Sequence, residues 1–541
     1  MDAPYDLPVN MGNDVERMVA ALFNPACYPH SVSRVDLLET HISWVFLAGD
    51  YAYKIKKPVN LGFLDFTTLA TRRYYCDEEL RLNRRLAPGL YLGTVAIAGD
   101  YGAPRIGGDG QAFEYAVKMR RFAQSALLDA ALARGEVGAP TMVALASKIA
   151  EFHAAASGVA ATPGLNATTS VLAPALDNYS QMLPLLDAPQ DISALARLRK
   201  WTLSEHQRQA GLARERLAAG RVRECHGDLH LGNVVLIDGA ATPFDCIEFS
   251  PALRWIDVIS EVAFLVMDLE VHGRRDLAYA LLNTYLEYSG DYGGVAMLPF
   301  YLVYRAMIRA KTNLIRACQH NASREQVEQA RRDYQRYIAF AVSCVGTRRG
   351  AIAITHGLSG SGKTTLTQLT IPGLGAVRVR SDVERKRLHG LGALARTGSA
   401  SGAGIYTADA TARAYEQLAQ HARSIAGAGF PVIIDATFLR RERRAAFQSL
   451  ARELEVPFAI VNFTIPHQVL RARIVARAAQ NNDASEATLV VLENQIAGHE
   501  PLSADELEYA ISVDTKGDVA KSAAALCAEL AHRLGLEPAY G

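Results

Sequence analysis

The sequence predicts a multidomain protein with two domains in series. An α+β domain over residues 1–346 has a small strand-rich lobe and a larger helical lobe, and an α/β domain over 350–541 has a parallel sheet covered on both faces. Three observations carry this. A chain of 541 residues exceeds the size at which one hydrophobic core stops growing. Beyond residue 350, apolar strand runs alternate with helical patterns, the order of a parallel sheet. Before residue 346, short strands come first and long helices follow, the order of an α+β domain.

In the first domain "SWVFLAG", "YAYKIK" and "EYAVKMRRF" read as strands, and a hairpin at 234–245 interrupts the helices. The helical pattern "REQVEQARRDYQRYIAFAVSC" ends near Val345, and the boundary falls at Thr347–Gly350. The second domain then runs strand "AIAIT", helix 363–370, strand "AVRVR", helices 383–389 and 408–426, and strand "PVIID". Helix 441–454, strand "FAIVNF", helices 467–479 and 486–497, strand "YAISV" and helix 519–534 complete it.

Half the residues are hydrophobic and 21% are charged, as in ordinary soluble domains, and the net charge of +1 gives no global pull towards nucleic acid or membranes. Seven cysteines lie scattered without a C-x-x-C pair, which suits reduced thiols in a cytoplasm. The opening "MDAPYDLPVNMGNDVER" lacks the basic and apolar regions of a signal peptide. No run reaches the roughly 18–20 apolar residues of a membrane helix. A cytoplasmic location is expected.

Two stretches carry chemistry. In "HGDLHLGN", Asp228 precedes Asn233 by five positions, the spacing of a loop in which an Asp handles a substrate hydroxyl and an Asn holds a metal. "VVLI" (234–237), the turn "DGAA" and the return "TPFD" then fold back, bringing Asp245 beside Asn233. Oxygen ligands there suit Mg²⁺ on ATP phosphates. "YAYKIKKP" offers Lys54 and Lys56 on one strand face, a choice geometry leaves open; the pattern x-A-x-K favours Lys54 for the phosphates. Glu79, in "EELRLNRRL", is its expected partner in preference to Glu78. No Gly-rich loop precedes these strands; "ETHIS" (39–43) stands in its place, which leaves an inert first domain open as an alternative.

"HGDLHLGN" and "FDCIEF", with "EFHAAAS" and "RWIDVISEVAF" around them, resemble the aminoglycoside phosphotransferase-like kinases, relatives of the protein kinases, over residues 30–345. The resemblance implies a protein-kinase-like fold, Asp228 as catalytic base, Asn233 and Asp245 as metal ligands, and Asp257 as a brace of the catalytic loop.

The second stretch, Gly357, Leu358, Ser359, Gly360, Ser361, Gly362, Lys363 and Thr364, matches G-x-x-x-x-G-K-[ST] between a strand and a helix, with Thr365 following. Its backbone N–H groups and helix N-terminus suit phosphates, Lys363 the β/γ-phosphates and Thr364 Mg²⁺. Asp382, after the second strand, could take a proton from an acceptor hydroxyl, with Arg385 three residues on; a helix cap is the structural alternative. Asp435 ends the strand "PVIID" in a Walker-B-type position, which suggests a water-mediated metal contact or substrate handling. Arg473 and Arg477 share a helix face before the polar loop "QNNDASEAT", as in a lid that closes arginines on the transferred phosphate. "RRERR" (440–444) is either an anion patch or a solvated helix start.

"GLSGSGKTT", "SDVERKR" and "VIIDATF" resemble P-loop kinases of the polynucleotide-kinase, zeta-toxin and gluconate-kinase type over 350–541. The tandem resembles bacterial proteins described as bifunctional aminoglycoside-phosphotransferase-like and ATP-binding proteins. The resulting expectation is an ATP- and Mg²⁺-dependent bifunctional kinase with two sites acting on small-molecule hydroxyls. The alternatives are a nucleotide-controlled switch and a nucleic-acid 5′-hydroxyl kinase. No aromatic-basic interleaving supports a strand-binding groove.

Overall fold

The computed structural model describes residues 9–62, 64–158, 171–319, 323–346, 348–393, 395, 404–480, 488–515 and 517–536, with backbone alone at 9–12 and 477–480. Packing divides the chain into two compact units. The first comprises Met1–Val137, Ala155–Thr169 and Leu217–Glu261; the second comprises Gly138–Ala154, Ser170–Arg216 and Val262–Gly541.

The first unit is built on a six-stranded antiparallel sheet of β1 (Val35–Glu39), β2 (Ser43–Ala48), β3 (Tyr51–Lys56), β4 (Tyr91–Asp100), β5 (Ala103–Ile106) and β6 (Ala112–Arg120). Its order is β1-β2-β3-β6-β4-β5. Alternation in β3 sends Tyr53 and Ile55 into one core with Met18, Leu22 and Phe46. The other face sends Ala52, with Val117, against Cys76 of the helix Leu69–Asn83. The sequence reading found three of these strands. It missed β1 and β4, which alternate weakly, and β5, which has only four residues; β4 also contains Gly93 and Gly99.

After this sheet come a ribbon of β7 (Val222–Glu224) and β10 (Trp255–Asp257), and between them the hairpin of β8 (Val234–Ile237) and β9 (Ala240–Pro243). Asp238 and Gly239 both take positive φ at the hairpin tip, 51° and 79°, the turn whose twist matches the strands. Between the first two strands, where a Gly-rich loop would stand, Thr40 Oγ1 accepts from the Ser43 N–H (3.0 Å) and closes a tight turn.

The second unit contains the parallel sheet: β11 (Ala351–His356), β12 (Val377–Arg380), β13 (Pro431–Asp435), β14 (Phe458–Thr464) and β15 (Ala510–Asp514), in the order β12-β13-β11-β14-β15. β11 is central and fully buried, so the loop that follows it opens between its two neighbours. Leu366 and Leu374 pack with Ile433, Val461, Leu526 and Leu530 on one face. The helix that the sequence placed at 363–370 runs from Lys363 to Leu374, through Pro372. Burial of Ile371 and Leu374 outweighs the proline's penalty, and Gly375 in the left-handed region stops the helix.

The helix Arg275–Ser289 lies along the edge strand β12 within the same unit. Asn283 Nδ2 donates to the Ala376 carbonyl (3.1 Å), and its Oδ1 accepts from the Arg378 N–H (2.7 Å). A side chain thus pairs backbone groups that a sheet edge leaves open. No described helix is long and apolar enough to cross a membrane. All seven cysteines are free thiols.

Candidate active sites

The first site converges on one buried carboxylate. Lys54 and Lys56, two apart on β3, each donate to a different oxygen of Glu79, at 2.9 and 2.8 Å. The alternatives the sequence left open therefore share a partner but diverge beyond it. Lys54 continues to Asp245 Oδ1 (2.5 Å), and Lys56 continues to Glu248. The Lys56 side chain is wholly buried, whereas that of Lys54 keeps 12% of its surface open, beside an Asp245 that keeps 42%. Lys54 is thus the lysine next to the expected metal carboxylate. Burial disfavours the Glu79 anion, but the two ammonium groups outweigh it and hold the carboxyl at about 2. The same carboxylates hold the Lys54 ammonium well above its usual range despite its burial.

The loop His226–Asn233 is local in construction. Asn233 Nδ2 donates to both the Asp228 carbonyl (2.9 Å) and its Oδ2 (3.0 Å), and His230 Nε2 lies 3.5 Å from the same oxygen. The Phe244 N–H donates to the Asn233 carbonyl (2.9 Å), which brings Asp245 alongside. Asp245 itself takes φ 64°, a left-handed conformation that aspartate tolerates, and its N–H donates to the Tyr91 hydroxyl (3.1 Å). The carboxylate that receives the His226 and Gly227 N–H groups (3.1 and 2.7 Å) is Glu261. Glu261, four positions beyond Asp257, thus braces the loop, and Asp257 Oδ1 receives the Ile259 N–H (2.9 Å). Glu248, Glu261 and Tyr91 were not read from the sequence, because no local pattern ties them to the loop.

The second site is a cavity of about 440 Å³ lined by the β11 loop, Asp382, Asp435 and a ring of arginines and tyrosines. The loop 357–362 carries positive φ at Gly357, Gly360 and Gly362, and a Cβ on Gly357 would meet the Phe463 carbonyl at 2.9 Å. Lys363 Nζ folds over it to the carbonyls of Gly357 (2.9 Å) and Leu358 (2.8 Å) and to Ser361 Oγ (3.3 Å). Thr364 Oγ1 donates to Asp435 Oδ2 (2.8 Å). Gln495 clasps the loop, accepting from the Ser359 N–H (2.9 Å) and donating to Ser359 Oγ (3.0 Å). Sequence reasoning missed that contact, which spans 136 residues.

Asp382 and Arg385, read from the sequence, both face this cavity, as do Thr365 and Arg473. The helix start is capped by neither Ser381 nor Asp382: Arg380 occupies the cap position and makes no side-chain capping bond. Among the described residues the Asp382 carboxylate has no hydrogen bond or ion pair. Arg473 donates to Thr515 Oγ1 (3.1 Å) and to the Thr515 carbonyl (2.8 Å), at the edge of the loop. The Arg477 side chain and residues 481–487, where the lid was expected, lie outside the described residues.

The "RRERR" run divides. Arg440, Arg441 and Arg444 pair with Glu500, Asp505 and Glu506 at 2.7, 3.0 and 2.7 Å. Arg443 faces the cavity, its guanidinium 4.2 Å from the centre of the Tyr415 ring.

Oxygen donors supply both expected metal positions: Asn233 and Asp245 at the first site, Thr364 and Asp435 at the second. That donor set fits Mg²⁺.

Over 468 residues the chain is 31% identical to Uncharacterized protein Rv2004c of Mycobacterium tuberculosis (strain H37Rv), covering 85% of this chain and 90% of the relative. Uncharacterized protein Mb2027c of Mycobacterium bovis matches to the same extent. A family model described as an AAA domain matches residues 352–502. Among solved structures, amicoumacin kinase hAmiN is 14% identical over 62% of this chain and 96% of its own, with a TM-score of 0.34. A gluconokinase from Sinorhizobium meliloti 1021 is 20% identical over 35% of this chain and 98% of its own, with a TM-score of 0.25.

Proposed function

The chain belongs to the family of these mycobacterial proteins, and from that premise we propose that it is an ATP-dependent phosphotransferase with two kinase-type sites. Each site passes the γ-phosphoryl of ATP to a hydroxyl of a small molecule. The division into 1–346 and 350–541 is proposed in the same sense, one site to each span.

The observation that carries this is the second cavity. A phosphate loop and a carboxylate that has no partner among the described residues line one cavity. In the proposed reaction Asp382 accepts the proton of the acceptor hydroxyl as its oxygen bonds to the γ-phosphorus. The bond from that phosphorus to the β–γ bridging oxygen breaks, and ADP leaves. Lys363 swings from the loop carbonyls to the phosphate oxygens, and Arg473 stands where charge accumulates. At the first site Asp228 plays the base, steadied by Asn233 and His230, while Lys54, held by Glu79, meets the phosphates. Bound Mg²⁺ would neutralise phosphate charge at each site.

Asp382→Asn tests the assignment. A helix cap would survive the change, because Asn and Asp cap alike. A base would not: transfer by the second site should fall by about 10²–10⁴-fold with ATP affinity and melting temperature unchanged. An unaltered rate of ADP formation with acceptor present would sink it.

A further inference from the structure

Arginines of the second unit differ in what meets their charge. Several outside the cavity are matched by carboxylates: Arg444 by Glu506 at 2.7 and 2.9 Å, Arg471 by Glu493 at 2.8 Å, Arg423 by Glu453 at 2.5 and 2.7 Å. Three that line the cavity, Arg385, Arg443 and Arg473, have no carboxylate partner among the described residues, and Arg473 is held by Thr515 at the edge of the loop. Arg385 is 7% exposed, yet among the described residues its hydrogen bonds reach only neutral acceptors, the Ile405 carbonyl (3.1 Å) and Thr411 Oγ1 (2.9 Å), and its Nε has no partner there. Arg443 makes no hydrogen bond or ion pair among the described residues. Each of these two guanidinium groups instead lies over an aromatic ring, Arg385 over Tyr406 at 5.1 Å and Arg443 over Tyr415 at 4.2 Å.

A buried guanidinium without an anion is costly, and folded chains rarely leave one so. The rings hold the two cations in place and offer only part of the compensation that a carboxylate gives elsewhere in this unit. Guanidinium forks recognise carboxylate, phosphate and sulfate groups two hydrogen bonds at a time. Asp382 lines the same cavity and supplies no bond to either arginine.

We propose that Arg385 and Arg443 form an oxyanion subsite, and that the acceptor of the second site is a small molecule carrying both a free hydroxyl and a carboxylate, phosphate or sulfate group. The inference rests on the kinase reading for the word acceptor, but the subsite itself does not. A cavity of about 440 Å³ suits a small molecule.

Two measurements on the full chain separate the possibilities. In the first, ADP release is followed with Mg·ATP and matched acceptor pairs: a sugar acid and its polyol, a sugar phosphate and its sugar, a nucleoside monophosphate and its nucleoside. The second site's share is the part lost in Lys363→Ala. The anionic member of a pair should exceed its neutral match at least tenfold in kcat/KM. Equal use of neutral members, or use of a 5′-hydroxyl oligonucleotide alone, overturns the proposal. In the second, calorimetry follows binding of inorganic sulfate and phosphate with Mg·AMP-PNP already saturating the loop. Arg385→Met and Arg443→Met should each weaken binding about tenfold or more, Arg443→Lys should weaken it less, and Arg471→Met should leave it unchanged. Neither methionine variant should lower the melting temperature, since each removes an uncompensated charge. Oxyanion binding unaffected by either variant, or absent from the wild type, overturns the subsite even if phosphoryl transfer is found. Oxyanion binding lost in both variants, with no acceptor of any kind turned over, keeps the subsite and removes the kinase reading.

Discussion

One proton separates two states of His356, the last residue of β11 before the phosphate loop. Its Nδ1 meets Asn462 Oδ1 at 2.8 Å and its Nε2 meets His499 Nε2 at 3.1 Å, so the neutral ring donates to Asn462 and accepts from His499. Burial, with Arg444, His499 and Lys363 nearby, outweighs the Asn462 bond and lowers it to about 4 from 6.5. Between those values the unfolded chain binds a proton that the folded chain refuses. Stability therefore falls as pH drops from 6.5 to 4, by about 3 kcal/mol from this group, and the loss ends below 4. His356→Gln should lack this component, which urea unfolding of both proteins at pH 7 and pH 4.5 would reveal as a narrowing difference. At the first site Asp228→Asn should cut transfer by about 10²–10⁴-fold while sparing Mg·ATP binding. Turnover on an identified acceptor by that variant checks it.

At the scale of the element, β3 delivers two lysines to one glutamate, and burial divides their labour. Lys56 pairs with the buried Glu248, whereas Lys54 also serves the half-open Asp245. Lys56→Met should cost about 3–5 kcal/mol in unfolding free energy, because it strands a buried carboxylate. Lys54→Met should cost less, since Glu79 keeps Lys56, but should abolish nucleotide binding at the first site. Denaturant unfolding and calorimetry on both variants would separate the roles; equal effects on both readouts would contradict the division. The hairpin β8–β9 shows the opposite economy. Its Asp-Gly turn sets the register locally and returns Asp245 beside Asn233, where the distant Tyr91 hydroxyl receives the Asp245 N–H.

At the scale of the molecule, the helix Arg275–Ser289 belongs by packing with the parallel sheet, not with the strands that precede it in the chain. Asn283 closes the edge of β12, and Glu287 pairs with Arg380 (3.0 Å) one residue before the helix that carries Asp382. Asn283→Ala should leave the Arg378 N–H and Ala376 carbonyl without partners, at about 1–3 kcal/mol for each buried group. Hydrogen exchange should show the Arg378 amide losing protection before the amides of β11. Unchanged protection would mean the edge is closed by other means.

What the sequence determined by itself is what lies close along the chain. The loop Gly357–Thr364, the spacing of Asp228 and Asn233, the hairpin that returns Asp245, and the alternation of strands and helices after residue 350 are all set by neighbours within a few residues. Backbone preference and side-chain period act at that range. Tertiary structure alone decided what depends on distant segments. It chose Glu261 to brace the His226 loop, gave Lys56 a carboxylate of its own, clasped Ser359 with Gln495, and turned one arginine of "RRERR" into the cavity while pairing three others outside it. The physical reason is that burial and charge compensation are satisfied by whichever groups the fold brings within about 3 Å. No spacing along the chain encodes that distance.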